Sequence, residues 1–260
     1  MLLMHRVALD GVQLDSVDAN IMIKGVATQQ PKETDNATSA GYNGQRYLRK
    51  RRESLDVTVR VGLKIFDDDM DDREELLEAI SAWANKLPAW LTTTQKPNRR
   101  IRIDAVKTPA PGDPAEWTNE YTYTFTAYED PYWQDTSATT KALTQGSSGS
   151  DSITVPGSAE SFADVTIQNK SGTVMDSITI SINGNQMSFN NLNLANNGTL
   201  TIDHVLTDGV YVIRARIGNT SVLNLRSGAD DFITKGGANA ITYSADGSAS
   251  VSVSVKGRYL

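Results

Sequence analysis

Two clusters of opposite charge lie in the first third of the chain, and both contain residues that could do chemistry. The basic side chains within seven residues are Arg46, Arg49, Lys50, Arg51 and Arg52. The acidic side chains that follow are Asp67, Asp68, Asp69, Asp71 and Asp72. The first cluster could neutralise the phosphates of a nucleic acid, and the second could ligate a calcium ion.

The basic cluster does not have the setting of a nucleic-acid site. The whole chain has a formal charge of −6 at pH 7, whereas duplex-binding domains are usually basic. Only Tyr42 and Tyr47 could stack on single-stranded bases nearby. We expect no sequence-specific nucleic-acid binding. Two interpretations stay open, a solvated loop that leads into a strand, or a contact with the acidic segment of a neighbouring copy.

The acidic cluster is better explained as the start of a helix. A calcium loop of the EF-hand type needs a central glycine, and the segment has none at that place. Carboxylates at a helix N-terminus are favoured by the helix dipole. No metal site is predicted.

Composition excludes several classes of enzyme. The chain has no cysteine and two histidines, His5 and His204, which are far apart in sequence. There is no nucleophile elbow and no phosphate-binding loop. Pairs of carboxylates could cleave glycans, but no spacing selects one. We predict no catalytic residue and no cofactor. An apolar run of roughly 20 residues is also absent, so we expect a soluble protein with no membrane contact.

The elements predicted in residues 1–145 are strands around one helix. Residues 55–63, 100–106 and 120–130 alternate like strands, and a helix that begins in the acidic segment carries Leu76, Ile80 and Trp83 on one face. This pattern indicates an α+β domain with one amphipathic helix.

Residues 146–260 read as strands throughout. Period-two alternation is clear in residues 176–184, 210–218 and 248–255, and turn pairs such as Asn183-Gly184, Asp208-Gly209 and Asp246-Gly247 lie between such runs. An antiparallel β-sandwich is predicted. The boundary is placed at residue 145 because the Ser- and Gly-rich segment 144–158 resembles a linker or solvated loop, and all four tryptophans precede it. The chain is therefore expected to be mainly β.

The aromatic pair Tyr132 and Trp133 precedes this boundary. An exposed aromatic can anchor a partner or stack on a sugar. The alternative is a buried residue in the core or between domains. We treat both residues as candidates for an inter-domain or partner contact.

The order of motifs resembles that of the distal tail proteins of long-tailed, non-contractile bacteriophages. The resemblance spans nearly the whole chain, with "DPYW" at residues 130–133 and the ending "SGADDF … GGANAITY … VKGRYL" contributing most. It matches the family's glycine-bounded loop at Gly41 and Gly44, its charged strand entry at Arg49, Arg51 and Arg52, and its C-terminal turn and strand at Gly237, Asn239 and Ile241.

The resemblance implies a structural role without catalysis. Such proteins form a ring, commonly a hexamer, that joins the tail tube to the tail-tip or baseplate hub protein of the virion. The first domain builds the ring, and the second is a galectin-like sandwich that in some members helps hold receptor-binding proteins. The sequence departs from the family at Gly236, often proline there, and in a long segment at 108–119 that we expect to pack on a ring neighbour. A carbohydrate-binding protein that recognises host glycans through Tyr211, Tyr243 and Tyr259 is the alternative.

Overall fold

The computed structural model describes residues 5–29, 33–34, 51–52, 54–64, 70–109 and 119–260. The chain is mainly β, as the sequence predicts, and the described residues contain one α-helix. It divides into two compact units, unit 1 (Met1–Trp133 with Leu260) and unit 2 (Gln134–Tyr259). Residues 134–145 thus belong to unit 2, ahead of the boundary predicted at residue 145.

Unit 1 holds the helix and the first strands. These are β1 (Val7–Leu9), β2 (Val12–Gln13), β3 (Ile21–Thr28), β4 (Glu33–Thr34), β5 (Arg51–Arg52), β6 (Leu55–Leu63), α1 (Met70–Ala84), β7 (Ala89–Thr93), β8 (Lys96–Ile103), β9 (Ala105–Lys107), β10 (Glu120–Ala127) and β11, which starts at Trp133 (Trp133–Asp135). A short 3₁₀ turn covers Leu14–Ser16. One antiparallel sheet contains β2, β1, β7 and β8 in that order, and another contains β3, β6, β10 and β9.

The helix α1 packs on the second of these sheets. Trp83 of α1 packs edge-to-face on Phe125 of β10, with ring centroids 5.9 Å apart. The Trp83 indole Nε1 also donates to the Val12 carbonyl at 2.9 Å, which ties the helix to β2. Leu76 and Ile80 are buried on the same side of the helix, so the predicted apolar face is confirmed.

Unit 2 is built from antiparallel strands. They are β12 (Thr139–Ala142), β13 (Gly146–Val155), β14 (Ser161–Asn169), β15 (Ile178–Ile182), β16 (Asn185–Phe189), β17 (Thr199–Thr207), β18 (Val210–Ile217), β19 (Thr220–Ser221), β20 (Arg226–Gly228), β21 (Ile233–Thr234), β22 (Gly237–Val255) and β23 (Arg258–Tyr259). A 3₁₀ turn covers Leu223–Leu225. The arrangement is consistent with the predicted β-sandwich.

The long strand β22 organises unit 2. Its first half pairs with β13 and β15, and its second half pairs with β12 and β14. Val251, Val253 and Val255 point into the core, as their alternation with serine predicts.

Two turn predictions are confirmed by backbone conformation. Asn183-Gly184 connects β15 to β16 with φ of 52° and 82°, and Asp208-Gly209 connects β17 to β18 with φ of 48° and 74°. Positive φ at both central residues is the geometry of a type I′ hairpin. Asp246-Gly247, in contrast, is not a turn and lies inside β22. The Asp246 carboxylate accepts the backbone N–H groups of Asp176 and Ser177, so it joins a neighbouring loop to the strand.

The Ser- and Gly-rich segment is a strand, which corrects the linker prediction. Residues 146–155 form β13 and pair with β22 over its whole first half. The composition resembles that of a linker because only Ile153 and Val155 of this strand are buried, so its other positions do not need apolar side chains. Gly149 is required by the packing, since a Cβ at this position would lie 2.5 Å from the Tyr243 ring.

Replacing Gly149 with valine should therefore destabilise unit 2. The added side chain must displace the Tyr243 ring, and overpacking of this kind costs about 1–3 kcal/mol. Urea unfolding followed by circular dichroism measures the loss. Ser150→Val is the matched control, because Ser150 is exposed on the same strand. Equal stability of the two variants would contradict the packing assigned to Gly149.

Candidate interaction surfaces

The predicted basic cluster falls largely outside the described residues. Arg46, Arg49 and Lys50 lie there, as do the loop glycines Gly41 and Gly44. The backbone of Arg51 and Arg52 forms β5, which pairs with Glu33 and Thr34 of β4. A role of this cluster between subunits stays a prediction.

The acidic cluster is described only where α1 begins. Asp67, Asp68 and Asp69 lie outside the described residues, and Asp71 stands in the first turn of the helix. The exposed acidic side chains of α1 are Asp72, Glu74, Glu75 and Glu78. None of these four makes an ion pair with any residue that the structure describes. The helix thus presents a negative outer face, named here the α1 acidic face.

Trp133 is a core residue of unit 1. Its side chain is completely buried, and the Lys96 ammonium lies over its ring at 4.5 Å from the centroid. Burial, together with the nearby charge of Arg99, lowers the pKa of Lys96. Tyr132 is half-buried, so within this pair it is the residue with accessible surface. A partner contact by Tyr132 stays a prediction.

A different group of aromatic and basic side chains is accessible on unit 1. It comprises Trp90 of β7, Arg100 and Arg102 of β8, and Tyr128, and it is named here the aromatic–arginine patch. Trp90 lies opposite Arg102 in the β7–β8 register, with Arg100 next on the same side. The sequence analysis missed this patch, although Trp90 alternates with the buried residues Ala89 and Leu91. That alternation places Trp90 on the outer side of the sheet.

The tyrosines of unit 2 do not form a sugar-stacking surface. Tyr243 is buried, its hydroxyl donates to the Thr144 carbonyl at 2.7 Å, and burial raises its pKa. The ring of half-buried Tyr211 packs on Phe162 at 4.6 Å, and its hydroxyl accepts from Gln134. The Tyr259 hydroxyl donates to Asp135 at 3.1 Å. All three tyrosines therefore make contacts within unit 2, and this weakens the carbohydrate-binding alternative.

His204 has a structural environment. Its side chain is 2% exposed and stacks on Phe162 with ring centroids 4.9 Å apart. Its two ring nitrogens face carboxylates, Nδ1 at 3.4 Å from Asp164 and Nε2 at 3.6 Å from Asp231. The ring therefore joins β14 and β17 to the segment before β21.

The described residues lack two features, a cluster of metal ligands and a membrane-spanning helix. No group of three or more His, Cys, Asp or Glu side chains is arranged there to hold a metal ion. Within the same residues, no helix combines the length and the apolar character needed to cross a membrane.

Comparison with known proteins identifies the fold. No family model matches the chain, and no curated protein matches it. Among solved structures, the chain is similar to SPP1 Dit, with 14% identity, a TM-score of 0.68 and coverage of 98% of this chain and 99% of that one. Two structures of chains from the activated phage p2 baseplate, one with Sr and one with Ca, give 10% identity over 97% and 98% of this chain. Their TM-scores of 0.42 and 0.36 are too low to establish a shared fold.

The likeness to SPP1 Dit covers both units. SPP1 Dit is described as a paradigm of the hub adsorption apparatus in phages that infect Gram-positive bacteria. The sequence resemblance to distal tail proteins is thus confirmed at the level of fold. Along nearly its whole length, this chain has the fold of a phage distal tail protein.

Proposed function

We propose that the chain is a structural virion protein at the distal end of a phage tail. The observation that carries this proposal is the full-length likeness to SPP1 Dit, a hub protein of an adsorption apparatus. A non-enzymatic role follows from this likeness. The protein is assembled in the host cytoplasm and then resides in the tail tip.

In this proposal, copies of the chain close into a ring, with six as the expected number. Unit 1 builds the ring. Soluble homo-oligomers are mostly closed and cyclic, and a head-to-tail contact brings different surfaces of neighbouring copies together. The accessible surfaces of opposite charge on unit 1 support this kind of contact.

The ring connects the tail tube protein on one side to a tail-tip hub protein on the other. Unit 2 contributes to holding receptor-binding proteins rather than glycans, because its tyrosines are used in internal packing. This division gives the two units separate tasks, assembly for unit 1 and attachment for unit 2.

Electron microscopy of labelled particles tests the location. Gold-conjugated antibodies against the chain should mark the tail end that is far from the head. An antibody against the tail tube protein serves as the control and should decorate the tail along its length. Labelling by the first antibody on the head or along the tube would contradict the proposed position.

A further inference from the structure

The outer side of the β7–β8 hairpin has the composition of a protein–protein contact. Leu91, Ile101 and Ile103 face the core and are fully buried, whereas the aromatic–arginine patch faces away from it. Tyr128 is 48% exposed, and its backbone N–H donates to the same Asp104 carboxylate that faces Arg102. Trp, Tyr and Arg are the residues that most often dominate the free energy of binding at interfaces.

The two arginines of the patch differ in their partners. Arg102 is already paired within the chain, because its guanidinium lies 3.5 Å from Asp104 and 3.2 Å from Glu129. Arg100 stacks on Trp90 at 4.0 Å from the ring centroid and has no carboxylate partner among the described residues. Its Nε donates to no acceptor there. The patch therefore combines aromatic area with the Arg100 cation, which has no counter-charge in the part of the chain that the structure describes.

The α1 acidic face has the complementary property. Glu74 and Glu78 lie one helical turn apart, about 6 Å along the axis, and therefore form a short negative stripe. Like Arg100, these carboxylates lack an ion-pair partner in the described parts of the chain. Both surfaces belong to unit 1.

We infer that the aromatic–arginine patch of one copy binds the α1 acidic face of the next copy. The inference rests on the proposed ring and identifies its contact surfaces. Arg100 pairs with the Glu74–Glu78 stripe, while Trp90 and Tyr128 supply contact area around the ion pair. Opposite charge on the two surfaces orients neighbouring copies head to tail and disfavours contacts between like surfaces.

Charge reversal on each side tests the pairing. One variant is Arg100→Glu, and the other combines Glu74→Lys with Glu78→Lys. Each alone should weaken association of the full chain about tenfold or more, measured as the concentration at which the assembly dissociates in analytical ultracentrifugation. An equimolar mixture of the two variants should assemble again, because alternating copies then present opposite charges at every contact.

The matched controls are Lys107→Glu and Glu160→Lys, which reverse exposed charges outside both surfaces. They should assemble like the wild type, and melting curves should show that every variant is folded. A monomeric wild type would overturn the proposed ring and this inference together. A wild type that assembles, alongside variants that assemble equally well, would overturn the inference alone. Weakened variants whose mixture stays dissociated would show that the two surfaces do not bind each other.

Discussion

Replacing Trp133 with alanine is expected to lower the free energy of unfolding by about 3–5 kcal/mol. The Trp133 side chain is completely buried, and its Nε1 has no hydrogen-bond partner among the described residues, so its contribution is packing. The substitution would also remove the ring on which the Lys96 ammonium lies. Urea unfolding monitored by far-UV circular dichroism measures the change.

Trp90→Ala is the control for this experiment, because Trp90 is only partly buried and lies in the aromatic–arginine patch. We expect it to change stability much less than Trp133→Ala and to affect association instead. Trp133→Phe should recover part of the lost stability, since it refills much of the cavity. A Trp133→Ala variant as stable as the wild type would show that Trp133 is not a core residue.

Replacing Asn169 with alanine is expected to destabilise unit 2 by about 3 kcal/mol, because the hydrogen bonds of a fully buried amide side chain are lost. The Asn169 side chain is fully buried. Its amide donates to the carbonyls of Thr173 at 2.7 Å and Leu194 at 2.8 Å, and its carbonyl accepts the Ser171 N–H at 2.8 Å. It thus joins the end of β14 to two loops.

The control for Asn169 is Asn190→Ala, since Asn190 is exposed in the same unit. Thermal unfolding of both variants should show a clearly lower melting temperature for Asn169→Ala and little change for Asn190→Ala. If the two melting temperatures fell by the same amount, the network around Asn169 would not stabilise the unit as described.

Local sequence patterns predict the regular elements well where burial alternates. Residues 55–63 form β6 with the predicted bounds, and the isoleucines at 178, 180 and 182 are buried in β15. One-sided burial produces a period of two in a strand and 3.6 in a helix, so such elements can be recognised from residue types alone. The α1 helix follows the same reasoning, with its apolar face on Phe125.

Tertiary pairing decides the places where prediction from local patterns is wrong. The Ser- and Gly-rich residues 146–155 have little β propensity, yet β22 holds them as a strand by hydrogen bonding. The pair Asp246-Gly247 is typical of a turn, but the residues of β22 before and after it pair with neighbouring strands and keep it within β22. The aromatic–arginine patch is not evident from local sequence patterns, for a related reason. Trp90 and Arg100 are separated in sequence, and the β7–β8 register brings them together, while Tyr128 is linked to Arg102 through Asp104.

The mass of the protein in solution tests most directly whether this chain closes into a ring. Light scattering should give a mass of about 170 kDa, six times the 28.3 kDa of one copy, and negative-stain images of the same sample should show closed rings. A single species at the mass of one copy, at every concentration measured, would contradict ring closure.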